Sequence, residues 1–334
     1  MKSMYRAVAL SVLLGFGAFW GLQREDARPV TSPTRNDAEL FESVVGSMRQ
    51  NQAYYPSMGR ELRDRGYPVA SVFNWRQPLL PYLHSSLTPA GARALSVLLG
   101  LALVFSSARL SVLAALSTFH ACLGFFADSR LLLFPELWAG GCLGLSAVAF
   151  GVRRPSLGIT LAVAGLFFRE LAAPYCVVAF GYSAMRREWR EVRLWLIGAA
   201  VYGAYFAVHA WLVRSQILAG DTQPISWLAL SGLPFVVRTM QLTGLLFLLP
   251  PWGFAMAFGA ATFAWWSPKM PWHVRSGVLA YALFFLAVGH PFNQYWGLMV
   301  SPLAGLWLAY VPDGIRAVFR QASPPARPQI IGSC

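Results

Sequence analysis

The stretch RNDAELFESVVGSMRQNQAYYPSMGRELRDRGYP, from Arg35 to Pro68, is a charged and polar segment in a chain that is otherwise strongly apolar. The 334 residues are 56% hydrophobic and only 12% charged, and the mean hydropathy is +0.49. Soluble domains carry about 25% charged residues. The composition therefore predicts an all-α, polytopic membrane helix bundle, in which this stretch belongs to a long loop between spanning helices.

Ten apolar segments approach the length of about 17–25 residues that a spanning helix needs. They lie at 4–22, 90–107, 110–127, 131–151, 156–169, 171–185, 194–213, 242–265, 276–290 and 295–311. The fifth and sixth are short and flank the pair Arg169-Glu170, so they form either two oblique helices or a single broken span. The apolar start with its basic flank is interpreted as an uncleaved first helix, with a cleaved signal peptide as the alternative.

The distribution of charge orients this bundle. With the N-terminus in the cytoplasm, the inner segments hold most of the basic residues outside the first loop, which is the positive-inside bias. Of the 14 acidic residues, only Glu188, Glu191 and Asp313 fall inside. The net charge of +13 is therefore interpreted as a topology signal and not as a nucleic-acid-binding surface. Both termini are predicted to be cytoplasmic, and the loops at 23–89 and 214–241 extracytoplasmic.

One transmembrane domain is predicted over residues 1–315, followed by a Pro-rich, disordered cytoplasmic tail at 316–334. The four cysteines have no CxxC or Cys/His spacing, so neither a disulfide framework nor a zinc site is supported. GxxxxGK[ST] does not occur, which excludes a P-loop ATPase, and HExxH and GxSxG are also missing.

Two short helices are predicted in the first loop, lying on the membrane surface at the outer mouth of the bundle. The apolar face of the first helix carries Leu40, Phe41, Val44, Val45 and Met48. Asn36 is its predicted cap, with Glu39 as the capping-box partner. The second helix has Pro56 in its first turn and stops at Gly66.

Three further segments join this loop in a recognisable order: FNWRQPLLPYL before the second span, LAVAGLFFRELAAPY in the middle, and HPFNQYWGLMVSPLAGLWLAY near the end. With one amino-terminal span and an outer loop that opens on Asp37, this arrangement resembles the GT-C superfamily of glycosyltransferases. The resemblance implies an enzyme of the bacterial inner (plasma) membrane that uses a polyprenyl-phosphate-linked sugar at the outer face. Its acceptor is a lipid, a glycan or a protein, and its other partners are membrane lipids.

The resemblance also implies site residues. Asp37 matches the first-loop acid and is the candidate general base, and Asp128 in FFADSRLLLFPELW matches the second acid, with Glu136 as an alternative. Several members of the superfamily carry paired acids in the first loop, where this chain has NDAE. The choice of base therefore stays open, as does the participation of a divalent metal. No other cofactor is implied.

Sugar transfer from a lipid phosphate needs a carboxylate to accept a proton and fixed cations to stabilise the leaving phosphate. Arg169, Arg76 and Arg130 are the candidate phosphate ligands. Each has a structural alternative: an ion pair with Glu170 or snorkelling for Arg169, headgroup anchoring for Arg76, and a salt bridge with Asp128 for Arg130.

Four other residues are candidates for contact with sugar or phosphate, namely Glu39, His290, Asn293 and Arg238. Glu39 has helix capping as its alternative role, and His290 has packing. The alternative role of Asp37 is to stabilise a helix N-terminus. Two other functions compete with the enzyme: a lipid or solute transporter or flippase, and a non-catalytic membrane subunit. The lack of an internal repeat and the clustering of charge at one face favour the enzyme.

Overall fold

In a computed structural model, which describes residues 2–26, 37–126 and 129–320, the protein is almost entirely helical. The α-helices are α1 Lys2–Asp26, α2 Asp37–Arg49, α3 Tyr54–Asp64, α4 Leu79–Ser86, α5 Pro89–Ser107, α6 Val112–Ala121, α7 Leu123–Phe126, α8 Pro135–Gly151, α9 Pro155–Phe168, α10 Ala173–Met185, α11 Trp189–Arg214, α12 Gly232–Gln241, α13 Pro251–Ala261, α14 Trp272–Ala287, α15 Gly297–Leu308 and α16 Val311–Arg320. Short 3-10 helices lie at Val72–Asn74, Ser129–Leu133, Glu170–Ala172, Gly244–Leu248, Thr262–Trp266 and Pro291–Trp296. Within these ranges there is no β-strand, and a single antiparallel bridge joins Leu228 and Val288. The predicted helical fold class is confirmed.

Local sequence signals set several helix ends. Thr88 caps α5 by accepting from the Gly91 backbone N–H at 3.1 Å, and Pro89 then occupies the first turn. Proline also begins α8 and α9. After α3, Gly66 has a φ of +69°, a left-handed conformation that glycine adopts without a steric penalty.

The first loop contains α2 and α3 where the sequence predicts helices. The five side chains of the predicted apolar face of α2 are all buried. Leu40, Phe41 and Val44 pack in a separate small core with residues such as Met58 on α3 and Trp75 beyond it. This apolar face therefore rests on protein, because α3 and the following turn fold back over it. A position of these helices at a membrane surface stays a prediction.

Helix α8 is the centre of the bundle. Nearly every one of its residues is buried, and it packs most closely against α9 and α15. Small residues permit this approach: a Cβ on Gly140 would lie 2.7 Å from the Met299 carbonyl oxygen, and one on Gly144 would lie 2.7 Å from Pro302 Cβ. The buried charge described below sits at the N-terminal end of this helix.

Among the described residues, three helices are long and apolar enough to cross a membrane, and their spanning stretches are Met4–Gln23, Pro89–Ser107 and Trp189–Arg214. A fourth is added if the bent pair Pro291–Leu308 and Val311–Arg320, at 42° to each other, counts as one span. Helix α11 exposes Ile197 and Trp211 to the outside, as a lipid-facing helix does. These findings support membrane character, while the count of ten spans stays a prediction.

The remaining predicted segments also contain helices, although several are short or broken. The segment at 242–265 consists of a 3-10 turn, α13 and a second 3-10 turn, because Pro250 and Pro251 interrupt it. Helix α16 extends to Arg320, so residues 316–320 are helical and do not belong to the predicted disordered tail. Residues 321–334 lie outside the described part of the chain.

The segment between α11 and α12 forms hydrogen bonds both to the first loop and to the turn that follows α14. Arg63 on α3 donates from Nε and Nη2 to the two carboxylate oxygens of Asp221, both at 2.8 Å. The Ala70 backbone N–H donates to the Thr222 carbonyl at 3.2 Å. Further along, the Gly289 N–H donates to the Trp227 carbonyl at 3.1 Å. The two predicted outer loops thus form one connected layer at this end of the bundle.

Candidate functional site

Asp37 begins α2, and its carboxylate lies beside two groups from elsewhere in the first loop. The Tyr67 hydroxyl donates to Oδ1 at 2.5 Å. Arg76 Nη2 lies 3.7 Å from Oδ2, within ion-pair distance but beyond a charge-assisted hydrogen bond. The Asp37 side chain is 20% exposed. The carboxylate is therefore oriented by Tyr67, faces a cation and stays accessible.

Arg76 follows the 3-10 turn Val72–Asn74 and is almost completely buried. Its Nη2 donates to the Tyr295 hydroxyl at 2.7 Å, and the guanidinium lies 5.7 Å from the centroid of the Phe41 ring. Its Nε is buried and has no hydrogen-bond partner among the described residues. A buried, unpartnered N–H on a cation is costly unless an acceptor binds there. Arg76 therefore has unused capacity to bind an anion.

Electrostatics keep Arg76 protonated despite its burial. Burial alone lowers the pKa of the guanidinium, but the influence of Tyr295, Glu136 and Asp37 outweighs it, and the net pKa is raised. An incoming phosphate must compete with the carboxylates of Asp37 and Glu136 for Arg76.

Arg169, between α9 and the 3-10 turn Glu170–Ala172, lies in a more enclosed setting. Its side chain is 2% exposed, with Nη1 donating to Glu170 Oε1 at 2.6 Å. Its Nε lies 2.8 Å from Oε1 of the fully buried Glu136, as an ion contact in which the N–H is not aligned with the oxygen. Arg169 thus has two carboxylates within ion-pair distance, although its Nε and both carboxylate oxygens of Glu136 have no aligned hydrogen-bond partner among the described residues. The predicted phosphate-binding role of Arg169 stays a prediction, and the structure shows the ion pair with Glu170 that was its alternative.

Gln77 connects the two arginine settings. Its Nε2 donates to Glu170 Oε2 at 3.1 Å and to the Tyr202 hydroxyl at 3.0 Å. Since Gln77 directly follows Arg76 in the chain, its hydrogen bond to Glu170 fixes the position of Arg76 relative to Arg169 and its carboxylate partners. The charged cluster is hereafter defined as Asp37, Arg76, Glu136, Arg169 and Glu170.

A small cleft of about 10 Å³, with room for about one water molecule, adjoins the charged cluster. Arg76 and Gln77 form its polar side, while Phe41, Leu80 and Leu133 are among its apolar lining. The cleft thus offers an anion-binding group next to an apolar surface.

His84 also lines the cleft. Its Nε2 contacts the Leu132 carbonyl at 3.1 Å, and burial lowers its pKa, which favours the neutral imidazole. A second positive charge in the cleft is therefore disfavoured, and Arg76 supplies the cation there.

Several predicted site residues lie elsewhere. Arg130 is exposed and lies 3.8 Å from Glu42. Glu39 is half-exposed and lies 3.6 Å from Arg65. Arg238 donates to the Leu22 carbonyl at 3.0 Å. None of these three contacts joins the charged cluster.

The last outer turn holds two more candidates. The His290 Nε2 contacts the Ser226 carbonyl at 2.9 Å, and the buried Asn293 side chain accepts from the His290 backbone N–H at 3.0 Å. Both therefore shape the turn Pro291–Trp296, and the residue of this turn that reaches the cluster is Tyr295. Asn36 and Asp128, the predicted cap and second acid, lie outside the described residues.

Sequence reasoning missed Tyr67, Gln77, Tyr202 and Tyr295 and kept Glu136 only as an alternative. Gln77 and Tyr295 lie within the quoted segments FNWRQPLLPYL and HPFNQYW, so their neighbourhoods were found although their contacts were not. No group of three or more His, Cys, Asp or Glu suited to a metal occurs in the part of the chain that the structure describes. A divalent metal stays a prediction.

The chain matches no protein-family model, no curated protein and no solved structure. What the site does is therefore argued from its geometry.

Proposed function

We propose that the protein is a membrane glycosyltransferase that moves a sugar from a polyprenyl-phosphate donor to an acceptor at the outer face of the membrane. The observation that carries this proposal is the pairing of an accessible carboxylate, Asp37, with a buried cation, Arg76, beside a cleft with apolar walls. A base, a phosphate ligand and a surface for hydrocarbon are the three requirements of the reaction.

In the proposed reaction, the Asp37 carboxylate accepts the proton of the acceptor hydroxyl as its oxygen attacks the anomeric carbon. The bond from that carbon to the phosphate oxygen breaks, and Arg76 stabilises the negative charge that develops on the lipid phosphate. Attack from the face opposite the leaving group inverts the anomeric centre, which requires Asp37 and Arg76, 3.7 Å apart here, to move onto opposite sides of the bound sugar. Tyr67 orients Asp37, and Tyr295 orients Arg76.

The same proposal includes the finer features of topology. Ten spans, cytoplasmic termini and a plasma-membrane location would place the charged cluster at the outer face, where a polyprenyl-phosphate sugar is presented. The connected layer formed by the two predicted outer loops supports this placement, because it carries Asp37, Tyr67 and Arg76 on one end of the bundle.

The test is sugar transfer by purified protein in liposomes, with a panel of polyprenyl-phosphate sugars and extracted membrane lipids and glycans as acceptors. Asp37→Asn removes the base with little change in shape, and Glu42→Gln is the matched control because Glu42 is a half-exposed acid on the same helix. We expect transfer to collapse in Asp37→Asn, with donor binding retained, and to persist in Glu42→Gln.

Transfer that survives in a folded Asp37→Asn protein would remove Asp37 from the chemistry and direct attention to Asp128 or Glu39. The absence of transfer, together with the absence of bound polyprenyl lipid in native mass spectrometry, would contradict the enzyme. It would favour the transporter or the non-catalytic subunit.

A further inference from the structure

A second cavity of about 130 Å³ lies between α12, α13, α14 and α15. It is hereafter called the apolar groove, and no charged side chain among the described residues lines it. Its two threonine hydroxyls are satisfied internally, since Thr243 donates to Met240 and Thr262 to Gly259, both at 2.7 Å. An apolar cavity of about this size is large enough to hold a benzene-sized group, and so a stretch of hydrocarbon chain. With no free polar group in the lining, the matching ligand is a hydrocarbon chain.

The apolar groove is separate from the charged cluster. Helix α15 begins at Gly297, just after Tyr295, and the groove is lined further along it by Ala304, Trp307 and Leu308. At 1.5 Å per residue, Trp307 lies about 15 Å along the helix axis from Gly297. The groove therefore does not adjoin Asp37 and Arg76.

One end of the groove carries aromatic rings and a cation. Trp307 lines the groove, and its ring lies 6.3 Å from that of Trp265. The Arg275 guanidinium lies 5.4 Å from the Trp265 centroid, and its Nη2 donates to the Ser267 carbonyl at 2.7 Å. Its Nε is buried without a hydrogen-bond partner among the described residues. Trp beside a basic residue is typical of the membrane–water interface.

Helix α16 extends this rim, because it packs against the 3-10 turn that contains Trp265. It exposes Ile315 and Phe319 next to Arg316 and Arg320, which is the pattern of a helix lying in the headgroup region. Lys269 is exposed and lies 3.3 Å from Asp313. Cations thus outnumber acids at this end, which favours an anionic headgroup.

The surroundings of the groove are apolar as well. Met256 on α13 and Leu283 on α14 are 70% and 58% exposed, and both helices line the groove. We propose that the apolar groove binds one acyl chain of an anionic phospholipid, whose phosphate lies at Arg275 and the cations of α16. This lipid is distinct from the donor of the proposed function and does not depend on it.

The test is native mass spectrometry of the full chain released from nanodiscs of mixed phosphatidylglycerol and phosphatidylcholine. Ala257→Phe fills the groove, and Ala282→Leu is a milder variant of the same kind should the first fold poorly. Ala200→Phe is the matched control, since Ala200 is exposed on α11. We expect wild type and Ala200→Phe to retain one phosphatidylglycerol, and the groove variants to retain roughly tenfold less, equivalent to about 1.4 kcal/mol.

A second comparison tests the rim. Arg275→Gln should remove the preference for phosphatidylglycerol over phosphatidylcholine, while Arg190→Gln, an exposed arginine at the start of α11, should keep it. Equal lipid retention in wild type and the groove variants would overturn the proposal. So would a retained lipid that proves to be a polyprenyl phosphate, and so would a wild type with no retained lipid.

Discussion

The buried arginines Arg76 and Arg169, which are linked through Gln77 and Glu170, have different surroundings. Arg169 is held between two carboxylates at 2.8 and 2.6 Å and is nearly inaccessible. Arg76 has one carboxylate at 3.7 Å, a tyrosine hydroxyl, and a buried Nε without a partner. The two guanidinium groups thus differ in how closely carboxylates approach them, although the Nε of each is buried without an aligned hydrogen-bond partner among the described residues. We therefore expect Arg169 to stabilise the fold and Arg76 to be the more available to a ligand.

The comparison shows that a charge within apolar sequence is not by itself a sign of a ligand-binding role. A charge within apolar sequence is expensive and often functional, which made Arg169 the more prominent candidate. The structure shows that such a charge can be fully neutralised by partners at distant positions, here Glu136. Availability to a ligand depends on how closely carboxylates approach the guanidinium, which the sequence does not display.

The largest effect on stability is expected from removing Arg169, which lies between two carboxylates. Arg169→Ala leaves Glu136 buried without its cation, and breaking such a pair costs about 3–5 kcal/mol. Thermal and denaturant unfolding in detergent measure the loss. Arg130→Ala is the control, because Arg130 pairs with Glu42 at an exposed site and such pairs contribute about 0–1 kcal/mol. Equal losses in the two variants would contradict the assignment of Arg169 to stability.

The next effect separates stability from binding. Arg76→Lys keeps the charge but loses the planar fork and the Nε donor, so binding of an anionic ligand should weaken about 10- to 100-fold. Stability should change much less than in Arg169→Ala. Calorimetric titration with a short-chain polyprenyl phosphate measures the first quantity and thermal unfolding the second. A large loss of stability with unchanged ligand binding would show that Arg76, and not only Arg169, is a structural charge.

A pH effect is expected in the layer that holds Arg76 in place. Hydrogen bonds from Arg63 lower the pKa of Asp221 to about 2 from its ordinary value of 3.8. A depressed carboxyl pKa stabilises the fold above the ordinary value, and the contribution is lost as the pH falls through 3.8 towards 2. The free energy of unfolding, measured from pH 6 to pH 2, should therefore fall less steeply in Asp221→Asn than in wild type, because the variant lacks this titrating carboxyl. A variant with the same pH profile as wild type would show that the contact is not formed in solution.

The smallest effect concerns the orientation of Asp37. Tyr67→Phe removes one hydrogen bond to the carboxylate and should cost about 0.5–1.5 kcal/mol of stability. In the proposed enzyme it should lower kcat more than donor binding, because the base is misoriented while Arg76 is untouched. Tyr82→Phe is the control, since Tyr82 is half-exposed on α4. A change in donor binding alone would contradict the orienting role.

Much of the fold follows from patterns of short range. The apolar segments predict helices, Pro56 predicts the first turn of α3, and Gly66 predicts its stop. The apolar stripe of α2 predicts which side chains are buried. It does not predict the covering partner, because a stripe is the same whether it meets lipid or α3.

The candidate site was predicted in part for the same reason. Asp37 and Arg76 were selected by type and position, and the structure brings them together. The contacts of Tyr67, Tyr295 and Gln77 were missed, because they join residues 30 to 219 positions apart, depend on helix packing and leave no local pattern. Arg130 and Arg238 have the right type but meet other partners.

The most direct test of the central claim is the affinity of a short-chain polyprenyl phosphate for wild type, Arg76→Gln and Arg130→Gln in liposomes. Arg76 has a buried Nε without a hydrogen-bond partner among the described residues, so Arg76→Gln should bind the ligand at least about tenfold more weakly, while Arg130→Gln should match wild type. Unchanged affinity in a folded Arg76→Gln protein would contradict the account, and Arg76 would then be a structural charge, the role expected of Arg169.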